Sequence, residues 1–453
     1  MSRRIAALAL VLVVAPLAAQ SPAPSSSSTE PLALPFSQFQ LANGLNVILH
    51  RDTTVPVVAV NVWYHVGSAN EKPGRTGFAH LFEHLMFEGS KHVPEGQFDL
   101  LLEAAGANNN GSTTNDRTNY VIDVPANALE LALFLESDRM AYLLDAMPPE
   151  QVNSQRDVVK NERRQSYENQ PYGMASIEID EMLWPEGHPY RWPVIGHMED
   201  LTAATQDDVV EFFKTYYAPN NASLVIAGDI DLARTRALVE KWFSEIPRGE
   251  PVAPVAPPPA MLTEVKRQTI TDQVSLPRLY LAWITPEFYA PGDAALDVVA
   301  SVLSDGKNSR LYKRLVYEEQ MAQDVSAFQS SAALGSSFLV VATARQGRTA
   351  DELQRAIDEE IDRLRREPPD EREVRRAINQ IEASFYRGME RVGGFYGKAD
   401  RMNGYYFAGG SPDFFAEDLA RYTSLTASDV QAAIVGWLPR DRRVELVVEP
   451  EAE

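Results

Sequence analysis

The residues most suited to chemistry are His80-Leu81-Phe82-Glu83-His84. On an α-helix, residues four apart are displaced by only ~40° around the axis, so the two imidazoles share one face. That is the geometry of two nitrogen ligands on one zinc ion. Phe78, Phe82 and Leu85 supply the apolar surface that would bury such a helix. Glu83 stands beside the histidines, where a carboxylate can take a proton from an activated water. This H-x-x-E-H order is the inverse of the commoner zinc-protease arrangement. The bland alternative is a pair of unrelated histidines beside a solvated glutamate. With only 7 histidines in 453 residues, it requires a coincidence.

A catalytic zinc takes three protein ligands and keeps a fourth position for water. The helix opened by Pro148-Pro149 offers the third ligand. Val152, Gln155, Val159, Glu162 and Ser166 recur at steps of three and four and form one stripe. The two valines mark that stripe as inward-facing, with Arg156, Asp157, Lys160, Arg163 and Arg164 on the remaining surface. A carboxylate at Glu162 on an inward face is costly unless it is paired or binds a metal, which favours the ligand reading over a solvated glutamate. Between the two helices lies the polar segment Gly106 to Tyr120. It reads equally as a hairpin with a surface strand and as an edge strand whose free N–H and C=O groups pair with an extended peptide. Tyr216-Tyr217-Ala218-Pro219-Asn220-Asn221 is, taken alone, a helix end and a turn.

These residues need a frame, and the chain has the material for one. Apolar residues make up 45% and charged residues 23%, enough to bury a core. There is no cysteine, so disulfides, thiolate metal sites and a Cys nucleophile are excluded. The net charge of −21 argues against a nucleic-acid partner. No apolar run reaches the ~18 residues of a membrane span. Residues 1–20 have the basic head, short apolar middle and small-residue end of a secretory signal peptide, which predicts an exported, soluble product, periplasmic or secreted. Residues 21–31 are a flexible Ser/Pro-rich segment.

Strand and helix patterns alternate over residues 32–247, with strands at Leu45 to His50, Val57 to His65 and Ser223 to Ala227. A tract with five prolines between Pro251 and Pro259 marks a stiff linker over 248–265. A second strand-rich domain follows over 266–453. The halves resemble copies. Leu201-Thr202 opens a helix carrying Asp208-Val209, and Leu425-Thr426 opens one carrying Asp429-Val430, 224 residues later. Pro148-Pro149 recurs as Pro368-Pro369, 220 residues later. Two offsets in one order point to a duplicated α+β domain.

With these residues in place, the chain resembles the pitrilysin/insulinase metallopeptidases, of the half-length kind that assembles from two subunits, as processing-peptidase-like bacterial proteins do. The resemblance rests on His80 to His84, Asn110 with Thr113 and Tyr120, the Glu162 helix, Tyr217-Ala218-Pro219-Asn220-Asn221-Ala222, and Ser309-Arg310-Leu311. It implies two homologous domains, each an antiparallel sheet flanked by helices, and four such domains around a chamber for unfolded peptides. It also implies one Zn²⁺ per chain on His80, His84 and Glu162, with Glu83 as general base. Asn110 and Gly111 would lie on the strand that pairs with substrate. The second half lacks the metal motif, since the matching positions near Ala300 to Ser304 contain no histidine.

Two departures from the family pattern stand out. Gln155 replaces a second glutamate two turns before the third ligand, behind the ligand shell. Val316 and Gln323 occupy the positions of an Arg and a Tyr that would act from across the chamber, with Arg314 and Tyr317 nearby. The resemblance thus implies a zinc endopeptidase subunit with a homologous partner that brings the Arg/Tyr pair. A homodimer using Arg314 or Tyr317 is the competing assembly. The rival function is a catalytically silent peptide-binding or assembly scaffold.

Overall fold

The computed structural model describes residues 33–451; the expected signal peptide and most of the Ser/Pro-rich segment lie outside them. Strands β1 (Ser37–Gln40), β2 (Asn46–Arg51), β3 (Val57–Tyr64), β4 (Asn108–Thr113), β5 (Thr118–Pro125) and β6 (Ala222–Gly228) form one sheet, ordered β1-β2-β6-β3-β5-β4. Its helices are α1 (Phe78–Leu85), α2 (Gln97–Ala104), α3 (Leu129–Tyr142), α4 (Pro149–Arg163), α5 (Ala175–Leu183), α6 (Met198–Ala203), α7 (Gln206–Tyr216) and α8 (Leu232–Phe243). Residues 247–263 contain no helix or strand. Strands β7 (Lys266–Asp272), β8 (Arg278–Thr285), β9 (Ala322–Ser330), β10 (Ser336–Ala344) and β11 (Val444–Pro450) then form a second sheet, ordered β7-β11-β8-β10-β9. It carries α9 (Asp293–Ser304), α10 (Ala350–Arg366), α11 (Glu371–Gly388), α12 (Lys398–Gly409), α13 (Phe415–Thr423) and α14 (Ala427–Trp437).

The two sheets share one topology. In each, a parallel pair (β2 with β6, β7 with β11) continues into three antiparallel neighbours (β6-β3-β5-β4, β11-β8-β10-β9). The expected antiparallel sheets are therefore antiparallel except for that one pair, and β1 is an addition to the first. The repeat also corrects one helix start. Thr202 lies inside α6, and the residue that caps α7 through a reciprocal bond with Asp208 is Thr205, matched by Thr426 with Asp429. A plainer sign of duplication is Tyr172-Gly173-Met174-Ala175 against Tyr396-Gly397-Lys398-Ala399, both tyrosines holding φ 64° ahead of α5 and α12.

Each sheet buries one face under its own helices and the other under a helix from the opposite half. Val58, Val60, Val62 and Tyr64 alternate toward a core with Phe82 and Leu85 of α1, Leu133 of α3 and Phe213 of α7. Leu279, Leu281 and Trp283 of β8 do the same with Leu296 and Val299 of α9 and Ile357 of α10. On the second sheet's other face, Tyr280, Ala282, Leu446 and Val448 pack against Ala175, Ile179 and Leu183 of α5.

The first sheet's other face buries apolar residues such as Ile48 and Val225 and, under α12, a polar network. Asp400 of α12 accepts hydrogen bonds from Trp63 Nε1 and Asn119 Nδ2, both at 2.9 Å, and Asn403 donates to Asn61 Oδ1 at 2.7 Å. Asp400→Ala strips these buried donors of their acceptor, and each unsatisfied group costs about 1–3 kcal/mol. Denaturant unfolding should therefore lose at least that much, whereas Asp400→Asn should recover most of it.

Candidate functional site

Helix α1 begins where the chain can be held tightly. Its first cap is Gly77 at φ 86°, where a Cβ would meet Ile195 O at 2.8 Å. Gly77 supplies no capping side chain, so the capping acceptor comes from upstream. Glu71, buried, takes hydrogen bonds from Gly77 N at 3.0 Å and Ala79 N at 2.8 Å. Burial pushes its carboxyl up to about 8, against the pull of those backbone donors. Helix α4 is fixed to the same loop by Arg163, which donates to Gly196 O at 2.7 Å. Arg163 is thus buried and not on the outer surface that its position predicts, while Ser166, expected inward, is exposed. The helix widens to π-helical turns over Arg164–Glu168, and this shifts the stripe's phase past Glu162.

The two helices bring His80, His84 and Glu162 together, with one ligand atom from each lying within 4.8 Å of the others. Glu162 Oε2 is 3.2 Å from His84 Nε2 and 3.7 Å from His80 Nε2, so both imidazoles present Nε2 to one carboxylate oxygen. Burial and the neighbouring His84 hold His80 down to about 4, so it is neutral at physiological pH. Hydrogen bonding to His84 holds Glu162 below the usual carboxylate range. Burial opposes the His84 cation, but the Glu162 carboxylate outweighs it and raises its pKa. A neutral imidazole and an ionised carboxylate are the states that metal binding requires, and two nitrogens with one oxygen suit zinc. The donor set therefore fits the metal that the sequence calls for.

Glu83 faces the same space. Thr113 Oγ1 of β4 donates to its Oε2 at 2.6 Å, and burial raises its pKa despite that bond. The segment Gly106 to Tyr120 is both a hairpin and a sheet edge, since β4 is the last strand and pairs only with β5. Asn110 is exposed, with its side chain accepting from Gly111 N at 2.8 Å. A Cβ on Gly111 would lie 3.0 Å from Glu83 Cγ and 3.1 Å from Oε1. Glu83, Gly111, Thr113 and Glu162, but not Asn110, line a cavity of about 610 Å³.

Gln155 is brought not to the triad but to Glu88, its Nε2 donating to Oε1 at 2.6 Å. Glu88 in turn raises the pKa of His84 by its charge. A negative charge behind the histidines is thus present, on a residue the sequence reading passed over although Glu88 follows His84 by four. Arg117 was also missed. It bonds Ser112 O at 2.9 Å, Ser112 Oγ at 2.6 Å and Asn119 Oδ1 at 3.1 Å, bracing β4 from behind.

The second half has α9 where the first has α1, and it contains no histidine; all seven lie before residue 200. Arg310 of the Ser-Arg-Leu triplet forms a two-pronged pair with Glu373 at 2.8–2.9 Å, and Arg314 pairs with Glu319 at 2.7 Å and Glu359 at 2.5 Å. Val316 packs against the second core, and Tyr317 is exposed.

Comparison with known proteins agrees with this division. The model of the insulinase family, M16, matches residues 46–178, and the model described as the peptidase M16 inactive domain matches residues 203–381. The zinc protease PqqE of Helicobacter pylori is 30% identical over 356 residues, 77% of this chain and 79% of its own. A protease from Helicobacter pylori of known crystal structure superposes with a TM-score of 0.86 at 25% identity, covering 92% of this chain and 100% of that one. The periplasmic protease PqqL from Escherichia coli has the same fold at 17% identity (TM-score 0.74), covering 93% of this chain but 48% of its own. By sequence and by fold, this chain belongs to the M16, or insulinase, family of peptidases.

Proposed function

We propose that the chain is an exported zinc-dependent endopeptidase subunit that cuts peptides or unfolded segments in a chamber closed by a homologous subunit. One observation carries the reading: His80, His84 and Glu162 converge within 4.8 Å, with Glu83 beside them and against the free-edged strand β4. Zinc, when bound by those three residues, supplies a Lewis acid that lowers the pKa of water and polarises a carbonyl. Glu83 takes the proton of the attacking water and delivers it to the leaving amine. Its raised pKa and the Thr113 hydrogen bond suit a base that must hold a proton briefly in a fixed orientation. Asn110 and Gly111 pair with the substrate backbone along the edge of β4. Gln155 acts at one remove, by orienting Glu88. Purified protein should hydrolyse a quenched peptide, lose that activity to a chelator and regain it with added zinc. Chelator-insensitive cleavage would refute the metal assignment.

Gly111 gives a second test. Gly111→Ala keeps an allowed backbone, but its methyl must displace Glu83 or the neighbouring ring of Phe87. The neighbour must give by a few tenths of an ångström, a fraction of the ~1 Å misplacement that costs roughly 10²-fold in well-aligned catalysis. The variant should therefore bind metal normally and turn over peptide several-fold more slowly than the wild type.

The partner follows from what the second half cannot supply. Val316 and Gln323 offer no cation, and Arg314 is committed to Glu319 and Glu359. A homologous subunit with an Arg/Tyr pair, and without its own working H-x-x-E-H, would complete the site as a heterodimer. The recurrence of this fold as about half of a longer chain supports such pairing. Activity should rise on adding that partner, by ~10²–10³, the usual worth of an oxyanion donor. Full activity of the chain alone, abolished by Arg314→Ala or Tyr317→Phe, would establish the homodimer instead.

A further inference from the structure

Helix α11 carries a charge pattern at odds with the rest of the molecule. In a chain of net charge −21, Arg372, Arg375, Arg376 and Arg387 line one groove of about 790 Å³ along that helix. None of the four is in ion-pair range of a carboxylate among the described residues. Glu373, between them in sequence, is taken by Arg310, and Asp305 is the only carboxylate lining the groove. Arg372, Arg375 and Arg387 are exposed, whereas Nε and Nη2 of Arg376 are buried with no hydrogen-bond partner. Those two buried atoms are closed to the groove, but the three exposed guanidiniums each present a planar fork suited to a planar anion, above all a carboxylate.

The groove also adjoins a cavity that comes within one residue of the candidate site. It shares Asp305, Gln380 and Ser384 with a larger cavity of about 940 Å³ between the halves. That cavity reaches Thr114 and Arg117, next to Thr113, which lines the space around Glu83. We infer that the arginine groove of α11 binds an acidic stretch of the peptide substrate, at a distance in sequence from the bond that is cut. The inference rests on the peptidase reading for its substrate class but predicts binding that does not require cleavage. It also inverts the expectation from net charge alone: long-range steering favours basic peptides, whereas this groove selects carboxylates locally.

The experiment compares two fluorescent peptides with one common core, one ending in four Glu and the other in four Gln, bound to the full-length Glu83→Gln chain. The Glu-tailed peptide should bind about tenfold more tightly at 0.1 M salt, as three or four exposed charge contacts allow. The gap should shrink at 0.5 M salt. Arg372→Gln with Arg375→Gln and Arg387→Gln, all exposed positions, should erase most of it while the melting temperature stays unchanged. Equal affinities for the two tails, no binding of either, or a gap that survives the triple variant would overturn the inference. A gap that behaves as expected, in a wild-type chain that cuts neither peptide with or without its partner, would uphold the groove and refute the peptidase reading.

Discussion

Glu83→Gln should leave the metal in place and remove nearly all turnover. The substitution is isosteric, and its amide oxygen can still accept from Thr113 Oγ1, so the local geometry survives. What disappears is the capacity to take a proton, and a positioned general base contributes typically 10²–10⁴-fold. The proposed metal ligands are two imidazoles and a carboxylate on other side chains, and the hydrogen bond to Glu83 comes from Thr113. Metal analysis should show wild-type zinc in the variant, and a quenched-peptide assay should show a rate lower by at least ~10². Wild-type turnover from the variant would assign the base to another residue.

His80→Ala, His84→Ala and Glu162→Ala should lose metal and activity together. Removing outer partners of a metal site typically costs 10–100-fold in affinity, so removing a ligand should cost more than ~10². Zinc that binds only the folded chain raises its stability with concentration. The wild type should therefore gain melting temperature on zinc addition, and the three variants should not. Chelation should leave the protein folded, because both apolar cores form without the triad. If chelation unfolds the chain and no peptide is cut, the zinc would be structural. If Glu162→Ala retains full zinc occupancy, the third ligand lies elsewhere.

The convergence of His80, His84 and Glu162 was legible because helix geometry is local. Spacing of four places His80 and His84 on one face whatever surrounds them, and the Val152–Val159 stripe carries Glu162 inward. The strands were legible for a similar reason, since β-branched runs such as Val57 to Tyr64 leave few other options. Legibility failed where a distant contact decided. Arg163 is buried because Gly196 O lies opposite it, and Glu88 matters because Gln155 swings away from the triad. Glu71 caps α1 from outside the helix, where no local pattern points to it. Helix α12 has no clean apolar stripe because the surface it covers is partly polar, and Asp400 and Asn403 bond to partners 180 to 342 residues away.

The exchange of α5 and α12 between the halves has a consequence for the order of synthesis. The first sheet is complete at Gly228, but the helix that covers its outer face begins at Lys398, about 170 residues later. At 5–20 residues per second that is a wait of roughly 10–30 s. During it, the waiting face offers water Asn61, Asn119, Ser223 and the indole N–H of Trp63, groups that solvent can satisfy, beside apolar Ile48 and Val225. The second sheet's outer face is apolar, with Tyr280, Ala282, Leu446 and Val448, and it never waits, because α5 has already left the ribosome when those strands emerge. The face that stands uncovered during translation is thus the more polar of the two, and the more apolar one is covered as it forms.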